Sequence, residues 1–484
     1  MQMDARYELA RLARDPRFDG RFFVAVRTTG IYCRPICPAV SPKRENVTFY
    51  ETAAAATEAG FRPCLRCRPE AAPGSPAWGG TSTTVRRGLR LIADGALDHD
   101  GVEALAGRLG VTSRHLRRLF VKHIGASPQA IAHTQRLNFA KTLIDQTSLP
   151  MADVAVAAGY RSTRRFNDAV QKAWGKTPGA LRRRRSAGGR QDGLVLRLPY
   201  YEPYDWETIR GFFMARAIPG VEYVTETAYR RVVRTDDGPA EIEVRNSNGY
   251  LEVAVHGAEP RSLFPVVQTL RDVFDTDAPI ADITAVLRKD PQLRKLIKKH
   301  PGIRVPGVFD RFEHIVRAIL GQQVSVRAAT TLAGRIAERY GDPVPGARGE
   351  TGEVTRLFPT PERLTRARVE SLGITSSRAA TIRRVASAVS SGRLNLDSSV
   401  AAADFVTQFT ALKGIGPWTA EYTLLRAMKD PDAFPASDLG VIKAMSAGAG
   451  TRLSVREIEA RADAWRPWRA YAALLLWQSA SAGG

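Results

Sequence analysis

Two segments of the chain share one pattern of apolar and polar positions. Residues 102–128 and 151–178 each start with a short, Ala-rich apolar helix, turn at Gly110 or Gly159, and continue as a second amphipathic helix. Ser and Thr residues precede each second helix and are suited to cap it. The repeat, whose glycines are offset by 49 residues, predicts two helix-turn-helix units.

Arginines cluster at the start of the second helix in both units. They are Arg114, Arg117, Arg164 and Arg165. A capped helix that exposes arginines in its first turns is typical of a helix that lies in the major groove of DNA. The same pattern fits two ordinary helical hairpins with solvated arginines, and the pattern alone leaves that alternative open.

The second half of the chain has two further patterns. Residues 194–275 alternate strand-like stretches such as "GYLEVAVHG" with helical ones such as "DWETIRGFFMARA", which predicts an antiparallel sheet with two helices on one face. Residues 305–484 are helical in pattern almost throughout. We find no candidate chemical group in residues 194–275.

Breaks in composition separate these patterns. Residues 71–83 are rich in Pro, Gly and Ser, residues 182–193 are rich in Arg and Gly, and a softer break lies at residues 298–307. A chain of 484 residues also exceeds the size at which single cores stop growing. We therefore expect four domains that move independently. They comprise residues 1–75, 84–185, 192–300 and 301–484.

Positive charge is concentrated in the first 190 residues. They hold 32 Lys and Arg against 15 Asp and Glu, a net charge of +17, while the other residues carry only +5. Such a surplus in one segment is typical of nucleic-acid binding, and we expect double-stranded DNA as the partner. The N-terminus has no apolar signal sequence, and the longest apolar run, "YAALLLW", is too short to span a bilayer. We expect a cytoplasmic protein with no membrane partner.

The cysteines of the chain form two close pairs. They are Cys33, Cys37, Cys64 and Cys67. Two pairs separated by a loop suit one tetrahedral Zn²⁺ site with four thiolate ligands, and a reducing compartment argues against disulfides. Iron and buried free thiols are the weaker alternatives. Four thiolates around Zn²⁺ carry a net charge of −2, which leaves the sulfurs nucleophilic, although spacing alone favours a structural role.

The sequence around the cysteines, "FFVAVRTTGIYCRPICP" through "AGFRPCLRCRP", resembles the N-terminal domain of the Ada family of adaptive-response proteins. In that family one zinc-bound cysteine irreversibly accepts a methyl group from an Sp methylphosphotriester in DNA, and the resemblance assigns this role to Cys33. Arg34 and Arg66 are among the arginines that crowd the cysteines, and we expect them, with Thr29, to contact DNA. Residues 84–185 resemble the AraC-type double helix-turn-helix with which the family binds its promoters.

The resemblance to the Ada family also implies a switch. Methylation would change the charge of the centre from −2 to −1, reduce its repulsion from DNA phosphates and so activate transcription, with RNA polymerase as a further partner. Members of that family carry an O6-methylguanine transferase built on another cysteine, but no cysteine follows Cys67 here. We therefore expect a different activity in the C-terminal half.

A second candidate site lies near the C-terminus. The stretch "LKGIGPWTAEY" predicts a helix, a tight turn with Gly414 and Gly416, and a second helix whose first N–H groups could bind a DNA phosphate. Two glycines at this spacing are a weak signal, because a packed helical turn has the same sequence pattern. Asp438 follows 22 residues after Gly416 and precedes a helix, where it could be an N-cap, a catalytic carboxylate or both.

These motifs, together with "PGVFDRFEHIVRAILGQQVS" and "WRPWRAYAALLLW", resemble 3-methyladenine DNA glycosylase II of the helix-hairpin-helix superfamily. The resemblance covers residues 194 to about 480 and implies that Asp438 is the catalytic carboxylate. The residues implied to contact the base or the DNA are Trp418, Tyr422, Trp477, Gly414, Gly416 and Gln323. Trp418 occupies the position of the Schiff-base Lys of lyase-competent relatives, so we expect a monofunctional enzyme. Gln323 stands where an aliphatic wedge would enter the DNA.

The two resemblances predict a multidomain chain that is mainly α with α+β parts. Its parts would be a small zinc domain, a double helix-turn-helix, an antiparallel sheet with two helices, and an all-α helix-hairpin-helix glycosylase. We predict a monomer that senses methylated DNA backbone through Cys33, activates repair genes and excises alkylated purines. One rival is a non-enzymatic zinc transcription factor with a degenerate glycosylase-like half. Another is a repair protein whose AraC-like part only docks on DNA.

Overall fold

A computed structural model describes residues 2–69, 72, 83–98, 100–182, 194–345, 347, 354–397, 400–447 and 451–481. The chain divides into two compact units. The first comprises Met1–Tyr201, Ser247–Gln268 and Thr276–Ala278, and the second comprises Glu202–Asn246, Thr269–Asp275 and Pro279–Gly484. Among the described residues, no helix has both the length and the apolar character needed to cross a bilayer.

The N-terminal part of the first unit is a small sheet with two helices. Its elements are α1 (Gln2–Leu12), β1 (Phe23–Val26), β2 (Ile31–Cys33), β3 (Val47–Tyr50), α2 (Ala53–Glu58) and β4 (Arg62–Pro63), with 3-10 turns at Pro16–Phe18 and Arg44–Asn46. The strand order is β3-β1-β2-β4, and only the β2–β4 pair is parallel. Tyr32 lies opposite Pro63 in that pair, and the Cys64 N–H donates to the Tyr32 carbonyl at 2.9 Å. The register therefore brings Cys33, at the end of β2, beside Cys64, which follows β4.

Seven helices follow in the first unit. They are α3 (Thr83–Ala93), α4 (Val102–Arg108), α5 (Ser113–Ile124), α6 (Pro128–Gln146), α7 (Met151–Ala157), α8 (Thr163–Trp174) and α9 (Pro178–Leu181). Thr112 caps α5 by accepting the His115 N–H, and Ser162 caps α8 in the same way through Arg165. Both helices end at a glycine in the left-handed conformation, Gly125 (φ 75°) and Gly175 (φ 68°). The predicted pair of helix-turn-helix motifs is confirmed, with α5 and α8 as the second helix of each.

The zinc-domain segment packs against the helix-turn-helix segment within the first unit. The Thr52 hydroxyl, which caps α2, donates to the Ile124 carbonyl at the end of α5 at 3.3 Å. The Glu58 carboxylate accepts the Ser127 hydroxyl at 2.7 Å and the Ser127 N–H at 3.2 Å. Because Ser127 is the N-cap of α6, the two segments share a helix cap.

Residues 194–275 form strands and two helices, as predicted, and two further helices follow before residue 300. Their bounds are β5 (Leu194–Pro199), α10 (Trp206–Met214), β6 (Glu222–Val224), β7 (Ala228–Thr235), β8 (Gly238–Ser247), β9 (Tyr250–His256), α11 (Leu263–Phe274), α12 (Ile280–Leu287) and α13 (Pro291–Lys299). In the first unit β5 and β9 form an antiparallel pair, and in the second unit β6, β7 and β8 form antiparallel hairpins. The apolar residues of these strands alternate with polar ones, which buries one face of each ladder.

The rest of the second unit is helical. Its elements are α14 (Arg311–Leu320), α15 (Val326–Tyr340), β10 (Asp342–Pro343), β11 (Arg356–Leu357), α16 (Pro361–Leu364), α17 (Ser376–Ser390), α18 (Ala402–Thr410), α19 (Pro417–Arg426), α20 (Leu439–Ser446), α21 (Val455–Ala462) and α22 (Arg469–Ser481), with 3-10 turns at Val369–Leu372 and Asp463–Trp465. The turn between α18 and α19 contains both glycines of the predicted hairpin. The apolar helix α22 is buried along most of its length, as its sequence indicates.

The shared cap makes one prediction about stability. Replacing Glu58 with Ala removes the acceptor of two hydrogen bonds from Ser127, so we expect the free energy of unfolding of the first unit to fall by about 1 kcal/mol. Urea denaturation followed by circular dichroism measures this change. Glu45→Ala, at an exposed position of the same segment, is the control, and an equal loss in the two variants would contradict the shared cap.

Candidate metal centre and base pocket

The four cysteines converge on one point. Their sulfur atoms all lie within 4.8 Å of one another, although the two pairs are 26 residues apart in the chain. A tetrahedral Zn²⁺ with sulfurs at about 2.3 Å requires sulfur–sulfur separations of about 3.8 Å, which these positions can provide with small side-chain rotations. Cys67 is buried, while Cys33 and Cys37 are partly exposed. Zn²⁺ bound here would thus have solvent-accessible sulfur on one side.

The thiols perturb one another strongly. Mutual hydrogen bonding raises the pKa of Cys33 and lowers that of Cys64, because one sulfur can donate only where another accepts. Hydrogen bonding from Cys33 lowers the pKa of Cys37 to about 7. Four sulfurs at this spacing can all be thiolates only beside a cation that offsets their repulsion. The donor set therefore fits Zn²⁺.

One backbone N–H group donates to a sulfur of the cluster. The Arg34 N–H donates to Cys67 Sγ at 3.3 Å. The backbone near Ala39 and Cys67 lowers the pKa of the Cys37 and Cys64 thiols.

Asp438 occupies the start of α20 and binds four donors. Its Oδ1 accepts the N–H groups of Gly440 (2.8 Å) and Val441 (3.1 Å), and the Trp477 indole N–H at 2.8 Å. Its Oδ2 accepts the Trp418 indole N–H at 2.8 Å. The sequence left open whether Asp438 is a cap or a catalytic group, and the structure shows that it is a cap whose second oxygen lies outside the helix.

An aromatic wall adjoins this carboxylate. The rings of Trp418 and Tyr422 stack with centroids 5.2 Å apart and an interplanar angle of 11°, and Trp477 meets Tyr422 edge-on at 6.0 Å. These side chains and Asp438 line a cavity of about 520 Å³. A purine base fits such a volume, and its faces can stack on the rings.

Four family models match successive parts of the chain. They are the metal-binding domain of Ada (residues 6–70), a helix-turn-helix domain (105–184), the AlkA N-terminal domain (195–310) and the HhH-GPD superfamily of base excision DNA repair proteins (316–470). The chain is 42% identical to a Mycobacterium tuberculosis protein named "Probable bifunctional transcriptional activator/DNA repair enzyme AlkA". The match covers 96% of this chain and 94% of that protein.

This chain belongs to the Ada/AlkA family of bifunctional transcriptional activators and DNA repair enzymes. It is also 31% identical to "DNA-3-methyladenine glycosylase 2" of Escherichia coli, over 58% of this chain and 95% of that enzyme. A solved 3-methyladenine DNA glycosylase from Archaeoglobus fulgidus shares the fold, with a TM-score of 0.52 over 59% of this chain and 98% of that one, at 24% identity. As in the Ada/AlkA family, the four-cysteine cluster is a Zn²⁺ site, and the chain is a DNA repair enzyme that binds DNA.

The exposed arginines of the Ada/AlkA helix-turn-helix segment lie where the sequence places them. Arg114, Arg117, Arg164 and Arg165 are all exposed, whereas Leu116 and Phe120 of α5 and Phe166 and Val170 of α8 are buried. Arg117 makes only a loose contact with Glu103, at 3.9 Å. Both second helices therefore present cationic faces to solvent, and their DNA contacts stay a prediction.

The three residues of the zinc segment that are expected to contact DNA differ in their surroundings. Thr29 and Arg66 are exposed, Thr29 in the turn between β1 and β2. Arg34 lies differently, because its guanidinium binds the Asp19 carboxylate at 2.7 Å and the Cys67 carbonyl at 3.2 Å. This guanidinium connects the metal site to the N-terminal segment, so it can contact DNA only through its remaining N–H groups.

Packing within the protein requires glycine at only one of the two hairpin positions. Gly414 has a φ of 98°, and a Cβ there would lie 2.1 Å from Thr381 Oγ1, so packing itself requires glycine. At Gly416, the N-cap of α19, a Cβ would meet nothing within 4 Å. An outside partner that approaches the backbone closely would explain this second glycine.

Gln323 stands on an anchored loop between α14 and α15. It is exposed with a φ of 55°, an unusual conformation for a residue with a side chain. The neighbouring Gln322 donates to the Gly414 carbonyl and to Thr419 Oγ1, each at 3.2 Å. The loop that carries Gln323 is thus held against the hairpin. Insertion of Gln323 into the DNA stays a prediction.

The sequence reasoning missed three polar residues of the pocket. Arg216 follows α10, His314 lies on α14 and Arg426 ends α19, and all three line the cavity. No sequence signal marks Arg216 or His314, since each lies in an amphipathic helical pattern far along the chain from Asp438. Arg426 lies four residues after Tyr422, a spacing that places both on one helix face.

The metal site makes a second prediction. Purified protein should contain about one Zn²⁺ per chain, and Cys64→Ala should lose most of it because three thiolates leave one position open to water. Inductively coupled plasma mass spectrometry of the dialysed protein measures the metal. Ser41→Ala, at an exposed position of the same segment, should keep the metal; a Cys64→Ala protein with full zinc would contradict the four-sulfur site.

Proposed function

We propose that the chain excises alkylated purines of the 3-methyladenine type from DNA with Asp438 as the catalytic carboxylate. The observation that supports this function is the carboxylate at the mouth of an aromatic cavity, oriented by the indole N–H groups of two cavity-lining tryptophans. A duplex hides its bases, so the enzyme has to flip the nucleotide into the cavity before it can react. Gln323 would fill the gap in the duplex, and the N–H groups after Gly416 would bind the DNA backbone.

The chemistry matches these residue types. A 3-methylated purine carries positive charge, which weakens its glycosidic bond and is attracted to the faces of Trp418, Tyr422 and Trp477. As that bond breaks, its electron pair leaves with the base, and the sugar develops positive charge that the Asp438 carboxylate stabilises. Water then adds to the anomeric carbon and loses a proton, which leaves an abasic site. Without a Lys at position 418 no Schiff base forms there, so the reaction stops at that stage.

We further propose that Cys33 accepts a methyl group from a DNA methylphosphotriester. Zn²⁺, when bound, keeps the four sulfurs as thiolates. The Cys33 sulfur forms a bond to the methyl carbon while the carbon–oxygen bond of the triester breaks and leaves its electron pair on the phosphate. The match of residues 6–70 to the metal-binding domain of Ada and the partial exposure of Cys33 support the choice of this sulfur.

Methylation then acts as a switch for promoter binding. The thioether has no charge, so the charge of the metal centre changes from −2 to −1 and its repulsion from nearby phosphates falls. One unit charge at contact range is worth on the order of 1 to 4 kcal/mol, or one to three powers of ten in affinity. The helix-turn-helix segment would bind the operator, and RNA polymerase would respond. We expect a cytoplasmic monomer to perform all of these steps.

The glycosylase proposal is tested by Asp438→Asn. The amide lacks the negative charge that stabilises the sugar, so we expect release of methylated purines to fall by about a hundredfold or more. Chromatography of free bases released from methylated DNA measures the rate. Asp404→Asn, at an exposed position of α18, should keep the wild-type rate. Unchanged release by Asp438→Asn would rule out the proposal, and no release by the wild type would favour the non-enzymatic rival.

The sensor proposal is tested by Cys33→Ser. Mass spectrometry after incubation with methylated DNA should find one added methyl group in the wild type and none in the variant. A reporter gene under the target promoter should respond to methyl damage only with the wild type. The Asp438→Asn protein provides the cross-check, since it should still gain the methyl group. Normal induction by a Cys33→Ser protein with bound zinc would exclude the switch.

A further inference from the structure

Two arginines at the floor of the base pocket, the part around Phe212, have no carboxylate partner among the described residues. The guanidinium carbons of Arg216, which is half-buried, and Arg426, which is buried, lie 3.9 and 4.4 Å from the centroid of the Phe212 ring. Neither makes an ion pair with any residue that the structure describes. Burial of an unpaired cation is costly, and proteins tend to retain such groups where a ligand uses them.

The other two arginines of the same cavity are neutralised. Arg317 binds Glu222 and Glu313, each at 3.1 Å, and Arg231 binds the same two carboxylates. These four side chains carry no net charge together. The uncompensated positive charge of the floor therefore belongs to Arg216 and Arg426, which makes that part of the cavity rich in hydrogen-bond donors.

Tyr422 connects the arginines to the aromatic wall. The Arg426 Nη1 group donates to the Tyr422 hydroxyl oxygen at 3.0 Å, and Arg216 lines the cavity near the same phenol. Burial opposes ionisation of Tyr422, but the charges of Arg426, Arg216 and Arg317 outweigh burial and lower its pKa. Because the Arg426 guanidinium occupies a lone pair of the phenol oxygen, the phenol O–H is left to act as a donor.

His314 supplies an independent sign of a missing ligand. It is 5% exposed, lines the cavity beside Tyr422, and its Nε2 has no hydrogen-bond partner. Burial, together with the charges of Arg426 and Arg317, lowers the pKa of His314 well below its usual value, so the ring is neutral. Buried polar atoms normally have partners, so this nitrogen is a second unexplained polar group in the wall of the cavity.

We propose that Arg216, with Tyr422, recognises the hydrogen-bonding edge of the flipped base. This pair would favour alkylated guanines, which present a carbonyl oxygen, over alkylated adenines, which present an amino group. A carbonyl oxygen accepts from the donors of the floor, whereas an amino group opposite the same donors leaves both sides unsatisfied. This inference rests on the proposed glycosylase function and concerns only its choice among bases. Arg426 has a positioning role, since its other nitrogens bind the carbonyls of Pro306 and Gly307.

The test compares two bases with the same methylated nitrogen. The rates at which 3-methylguanine and 3-methyladenine are released from one methylated DNA sample are measured in single-turnover experiments. Because both bases carry the same positive charge, the ratio of the two rates does not depend on that charge. Arg216→Gln should lower this guanine-to-adenine ratio by about tenfold, because a charged donor is lost. Arg216→Lys, which keeps the charge but not the fork of donors, should recover part of the ratio.

Lys443→Gln is the charge-matched control. Lys443 is an exposed residue of the cavity rim, so its loss removes one positive charge and should change both release rates by the same factor. A ratio that stays constant in Arg216→Gln, or that shifts equally in Lys443→Gln, would overturn the inference while leaving the glycosylase function intact. Failure of the wild type to release either base would instead defeat the proposed function itself.

A measurement on the wild type covers the case in which Arg216→Gln does not fold. Free 7-methylguanine and free 3-methyladenine can be titrated against the fluorescence of Trp418 and Trp477. We expect the guanine base to bind about tenfold more tightly. Equal affinities, or tighter binding of the adenine base, would contradict recognition of a carbonyl oxygen by the floor.

Discussion

The second unit depends on one carboxylate that is held in place beside an aromatic-walled cavity. Asp438 is held by four donors, two from the first turn of α20 and two from indole rings. The N-terminus of a helix also favours negative charge. Since the same indoles form the aromatic wall, the groups that fix the carboxylate also shape the pocket. Under the proposed function, a change in either ring would therefore disturb both recognition and chemistry.

In the zinc segment, hydrogen bonds connect the cysteine cluster to its surroundings. Arg34 connects the Cys67 loop to Asp19, and Glu58 connects the segment to the N-cap of α6. Under the proposed function, the reactive sulfur of Cys33 therefore lies on a segment that is hydrogen-bonded to the first helix-turn-helix motif. A methyl group added at this position would then act on a segment that is in contact with α5.

Much of this arrangement is predictable from local patterns. Cysteine spacing indicates the metal, the duplicated helix pattern indicates α4–α5 and α7–α8, and a resemblance of motifs directs attention to Asp438 and three aromatic residues. Contacts between distant segments are different. Local sequence does not predict the Glu58–Ser127 hydrogen bond, because it depends on tertiary packing. The same holds for Arg216, His314 and Tyr422, which line one cavity. The independent motion expected from linker composition stays a prediction, because composition reports on chain stiffness and not on which surfaces pack.

Under the proposed function, both sites respond to methylation of DNA, one at the phosphates and one at the bases, and they do not interfere with each other. Methylation of Cys33 produces a thioether, which has lost the charge that made the sulfur a nucleophile, so each chain can record one event only. Asp438 forms no lasting bond and is regenerated after every base. Cleavage of a glycosidic bond leaves phosphotriesters intact, and so repair of bases by one half does not erase the lesion that the other half detects. Fusion of the two in one chain fixes the ratio of sensor to enzyme while keeping the signal independent of the progress of base repair.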